Sequence, residues 1–95
     1  MRVVWTAPAL YELEAIGDYI AQDNPSASAR IVTRVFDLVD ALADHPESGR
    51  PGRIPGTREL VVTGTPFIVP YRIRENRIDI LSVFHGARRW PESFD

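Results

Sequence analysis

Ninety-five residues, 44% hydrophobic and 25% charged, have the composition of one small globular domain, with enough chain for one core and not for two. With no cysteine, disulfides, thiolate metal sites and a cysteine nucleophile are excluded, and a reducing intracellular compartment is expected. The formal net charge of −2 is unevenly spread: residues 1–48 carry three arginines against eight acids, residues 49–95 eight arginines against five acids, and there is no lysine. A basic C-terminal half built only from arginine suits a polyanion or an acidic partner, because the planar guanidinium matches phosphate and carboxylate and keeps its charge.

The start, "MRVVWTAPAL", has no long apolar run of the signal-peptide kind, and no stretch of about 18 apolar residues is present to span a membrane. A soluble, cytoplasmic protein with no membrane association is expected. "RVVWT" (2–6) is β-branched and aromatic and predicts a first strand containing Trp5 as a core residue. Thr6 is placed to cap a helix whose first turn accepts Pro8. Leu10, Leu13, Ile16 and Ile20 recur at three- and four-residue steps and predict an amphipathic helix over residues 8–22, with Tyr19 also read as core.

In "DNPSASAR", Asn24 supplies a second cap and Pro25 a second first-turn proline. Ile31, Val35, Leu38, Val39 and Leu42 carry the second helix to Asp44, so the two helices form a hairpin with a short joint. "HPESGRPGRIPG" (45–56) is dense in proline and glycine and reads as a loop without regular structure. From Arg58 the period changes to that of strands. "RELVVT" (58–63), "FIVPYRI" (67–73) and "IDILSVF" (78–84) predict an antiparallel meander, and Pro70, which has no N–H to give, predicts a bulge or an unpaired position in the middle strand. The order β-α-α-β-β-β defines an α+β domain over residues 1–95, with a helical hairpin packed on an antiparallel sheet.

The final strand runs out in "SVFHGARRWP" (82–91), where His85 is the one proton-transfer group and Arg88, Arg89 and Trp90 follow. Trp90 and Phe94 read as apolar pegs for the tail. His45 and His85 lack the spacing of a metal pair, no glycine-rich phosphate loop joins a strand to a helix, and the serines have no companion base. Neither a metal nor a cofactor is expected.

The segments "LEAIGDYIAQDNPSASARIV", "HPESGRPGRIPGTREL", "YRI" and "ILSVFHGARRWP", in this order, resemble the RelE/ParE superfamily of bacterial toxins, and the hairpin joint "AIGDYIAQDNP" is closer to the ParE branch. The resemblance implies the toxin of a type II toxin–antitoxin module of the kind that stabilises plasmids. It would be held in a hetero-oligomer by a cognate antitoxin whose C-terminal segment wraps it. Two targets remain open. ParE-like members arrest growth by inhibiting DNA gyrase, and for that reading Arg50, Arg53, Arg88, Arg89 and Trp90 are the candidate target-binding residues. RelE-like members cut messenger RNA on the ribosome, and for that reading His85, Arg58 and Arg72 are the candidate catalytic residues. The chain departs from the RNA-cutting pattern in offering Arg50 and Arg53 where lysines are frequent and Trp90 in place of a tyrosine. The gyrase-inhibiting reading ranks first.

Overall fold

The computed structural model describes residues 1–88 and 90–94. Strand β1 (Arg2–Trp5) leads into helix α1 (Ala7–Ala21), and α2 (Pro25–Ala41) returns beside it. Both caps form as the sequence predicts. Thr6 Oγ1 accepts from Ala9 N–H at 3.3 Å and Asn24 Oδ1 from Ala27 N–H at 3.0 Å, with Pro8 and Pro25 in the first turns. Thr6 Oγ1 also donates to Ile80 O at 2.7 Å, which ties the helix start to the sheet. The hairpin closes tightly at Gly17, where Ser28 Oγ donates to the glycine carbonyl at 2.6 Å and a side chain would meet Val32.

The remaining strands are β2 (Arg50–Pro51), β3 (Arg58–Val61), β4 (Phe67–Arg74), β5 (Arg77–Ile80) and β6 (Phe84–His85). They form one sheet in the order β1-β5-β4-β3-β2, with β6 pairing β4 beyond the end of β5. The meander is antiparallel, as its patterning predicts. Strand β1 joins the edge in parallel to β5, so the sheet is mixed. The loop also contributes the short strand β2, paired with β3, where the glycine and proline content predicted nothing regular.

Pro70 marks the expected irregularity. Tyr71 pairs with Ile80 and Ile68 with Phe84, so residues 81–83 stand opposite residues 69–70. One extra residue is accommodated there, a β-bulge that divides the predicted last strand into β5 and β6. The Pro70 carbonyl still accepts from Leu81 N–H at 3.0 Å.

Alternation along the strands sorts the sheet into two faces. Val69, Tyr71, Ile78 and Ile80 point toward the helices and close on Ala9, Leu13, Val35, Val39 and Leu42 to make the core. Ile16, Ile20, Ile31, Leu38 and Trp5 pack around it, partly buried. Two expectations are corrected. Leu10 is 44% exposed and Tyr19 73% exposed. At about 100° per residue, both lie roughly a quarter-turn from the line through Leu13, Ile16 and Ile20, so they flank the buried stripe without joining it. Among the described residues no helix is long and apolar enough to cross a membrane.

Candidate functional site

The face of the sheet turned away from the helices is lined with arginine. Cross-strand partners share a face in an antiparallel pair, so Arg50 and Glu59 lie together, as do Arg72 with Asp79 and Arg74 with Arg77. The two carboxylates are buried. Asp79 accepts from Arg77 Nε at 2.8 Å and lies 3.6 Å from Arg74 Nε; the hydrogen bond from Arg77 raises that guanidinium's pKa and keeps it charged. Arg72 lies between these pairs without an ion pair among the described residues, and its Nε is buried without an acceptor there.

The loop before β3 is held against the sheet by three side chains. Tyr71 passes through the core to the loop, donates from its hydroxyl to Pro46 O at 2.7 Å and accepts from Gly49 N–H at 2.9 Å. Arg58 Nη1 donates to Gly49 O at 2.7 Å and to Glu47 O at 3.2 Å. Glu59 takes Arg50 on one oxygen and the Arg53 N–H on the other. The arginine-rich loop is thus positioned by backbone contacts that its composition does not reveal.

Held in this way, the loop delivers Arg53 to the tail. Its guanidinium carbon lies 4.4 Å from the ring centroid of Trp90, which packs on Phe84 at 4.9 Å, while Arg88 lies 5.3 Å from the Phe84 centroid. Two cations therefore each lie against one ring of a tilted aromatic pair, Arg53 on Trp90 and Arg88 on Phe84, contacts of the cation–π kind. Trp90 Nε1 is buried without an acceptor among the described residues. Such a cluster offers charge, flat apolar area and donors to a partner carrying carboxylates or phosphates.

His85 belongs to a different surface. Phe84 and His85 are consecutive in β6, so their side chains leave opposite faces: Phe84 meets Trp90, whereas His85 meets the edge of Phe67 at 5.8 Å on the helix side. There it lines a groove of about 830 Å³ with Tyr11, Ile16, Tyr19, Phe67 and Arg88, so that Arg88 borders both this groove and the aromatic cluster. Its Nδ1 accepts from Ala87 N–H at 3.1 Å, so in the neutral ring the proton sits on Nε2. Arg58 pairs with Tyr71 and His85 with Phe67, four residues apart along β4 or about 13 Å.

The fold thus brings together Arg53, Arg88 and Trp90, places Arg50 on Glu59, and leaves Arg58, Arg72 and His85 at three separate positions. Arg89 lies outside the described residues. Tyr71, Glu59 and Phe84 organise the site without having been singled out in the sequence. Tyr71 was detectable as the third member of the 67, 69, 71 alternation. Glu59 was detectable only as a lone acid in an apolar strand.

Comparison with known proteins agrees with this architecture. Residues 3–90 match the family described as "ParE toxin of type II toxin-antitoxin system, parDE". A protein of Sinorhizobium fredii named "Putative toxin Y4kP" is 52% identical over 91 residues, covering 96% of this chain and 94% of that protein. "Toxin RelE2" of Caulobacter vibrioides is 40% identical over 87 residues, covering 92% and 97%. A solved structure titled "Chromosomal ParDE TA system from P. aeruginosa" superposes with a TM-score of 0.81 at 30% identity, over 90% of this chain and 95% of that one. The chain belongs to the ParE toxin family of type II toxin–antitoxin systems.

Proposed function

We propose that this toxin arrests growth by binding DNA gyrase through the Arg53, Arg88 and Trp90 cluster, and that a cognate antitoxin neutralises it in a hetero-oligomer. The observation that carries the choice of target is the opposite facing of Phe84 and His85. Cutting RNA without a metal needs a base, cations and an acid around one phosphate. Here the imidazole faces away from Phe84 and Trp90, Arg88 alone of the cluster reaches its groove, and the Arg58 guanidinium is already bonded to two loop carbonyls. A binding mode needs no such convergence; it needs anchored aromatic and arginine side chains near the centre of a contact.

The groove between α1 and β6 fits the antitoxin. Tyr11 and Tyr19, 74% and 73% exposed, flank an apolar floor on the helix side, with Arg88 of the cluster at its border. Neutralising segment and target would then meet at Arg88, which borders both the groove and the cluster.

A second reading, cleavage of messenger RNA on the ribosome, is favoured by the name of the Caulobacter relative. Induction in cells separates the two: gyrase inhibition is expected to raise DNA-damage signalling before any transcript is cut, and co-expression of the neighbouring antitoxin to restore growth. Transcript cleavage appearing first would favour the second reading.

A further inference from the structure

We propose that Glu59 is a positioning residue, which sets the place of Arg53 on Trp90 through the loop backbone and so shapes the cluster; the inference rests on that cluster being the target-binding surface. Glu59 is 3% exposed, on the arginine-lined face of β3. Its Oε1 meets Arg50 at 3.0 Å from Nε and 2.9 Å from Nη2, and its Oε2 accepts from Arg53 N–H at 2.8 Å. A buried carboxylate is tolerated only when its oxygens are satisfied. Here a guanidinium satisfies one oxygen and a single backbone N–H the other.

That N–H belongs to the residue whose side chain reaches the tail. On its N-terminal side, Gly52 N–H donates to Thr57 O at 2.8 Å, and an added Cβ at Gly52 would collide with Thr57. The backbone of Arg53 is therefore fixed from two directions, by Thr57 and by Glu59. The guanidinium carbon then lies over the Trp90 ring, and Trp90 packs at a tilt on Phe84. A chain of contacts links β3, the loop, the tail and β6, and Glu59 is its buried end. A carboxylate that served only to neutralise Arg50 would not need its second oxygen on the Arg53 amide.

The test uses a Trp5→Phe background, in which Trp90 is the one remaining tryptophan. Glu59→Met keeps most of the side-chain volume but no acceptor, whereas Glu59→Gln keeps an acceptor for the Arg53 amide. Glu59→Met is expected to red-shift Trp90 emission and open it to acrylamide, with Glu59→Gln close to the parent. In cells, Glu59→Met should need roughly tenfold more toxin for equal growth arrest, the scale of a lost contact at an interface centre. Unchanged Trp90 emission in a folded Glu59→Met protein overturns the positioning role. If that variant does not fold, amide exchange in the parent decides: protection of Arg53 N–H comparable to β3 amides supports the proposal, and exchange at the rate of a free loop overturns it. Released Trp90 with undiminished arrest overturns the link to the target. Failure of the parent to inhibit gyrase would instead refute the target, leaving both readouts interpretable.

Discussion

Gly49 is packed against Tyr71 so closely that its N–H donates to the tyrosine hydroxyl at 2.9 Å, while a Cβ added at Gly49 would lie 2.6 Å from that same oxygen. A side chain of the central strand β4 thus holds the loop that carries Arg50 and Arg53. Gly49→Ala must push the loop off β3 or move a fully buried ring, and a cost of about 1–3 kcal/mol is expected, as for overpacking elsewhere. Tyr71→Phe leaves the Gly49 N–H and the Pro46 carbonyl without their partner and should cost about 1–3 kcal/mol. Denaturant midpoints at constant slope check both.

Tyr71 also predicts an alkaline limit. Burial raises its pKa above the ordinary 10.0, against the lowering effects of the Gly49 N–H and the Arg58 charge. The folded state then holds the phenol proton to higher pH than the unfolded chain does. Its contribution is fully present below pH 10.0 and declines as pH rises from there through the folded pKa. Denaturant titrations from pH 9 upward should show stability falling in the parent, with a shallower fall in Tyr71→Phe. An equal slope in both proteins would remove Tyr71 as the cause.

The two leucines of α1 separate core from flank. Leu13→Ala, at a fully enclosed position against the sheet, is expected to cost about 2–5 kcal/mol, whereas Leu10→Ala should cost less than half as much because much of that side chain is already in water. Thermal melts of the pair make the comparison directly.

Tyr11→Ala and Tyr19→Ala address the groove between α1 and β6. Both rings are largely exposed, so stability should be nearly unchanged. Antitoxin affinity should fall, by about 2 kcal/mol if either ring is an anchor, and growth arrest should persist while rescue by the antitoxin weakens. Calorimetric titration of the two purified proteins measures the first effect and co-expression the second.

Much of this could be read from the chain. Caps at Thr6 and Asn24, prolines at 8 and 25, and the change of hydrophobic period at Arg58 are local signals, and local signals placed the elements. Even the bulge opposite Pro70 follows from one missing N–H. What escaped depends on tertiary neighbours. The periodicity of α1 marks an apolar side but not its width, so from sequence Leu10 and Tyr19 read as inward-facing. Strand β1 carries nothing that names its parallel partner. The site was legible as residue types only: arginines and Trp90 at the right ends, but not the alternation at Phe84 and His85 that parts them, nor the Glu59 and Tyr71 contacts that hold the loop.

The central claim, target binding without RNA cleavage, is tested most directly by purified toxin in two parallel reactions, gyrase supercoiling and reconstituted translation. Inhibited supercoiling and intact transcripts are expected, with His85→Ala mild and Arg88→Ala weakening inhibition by about 2 kcal/mol as its partner group is left unpaired. Codon-specific transcript cleavage that His85→Ala lowers by ~10²-fold or more, the usual scale for a lost general acid or base, together with unaffected gyrase, would contradict it.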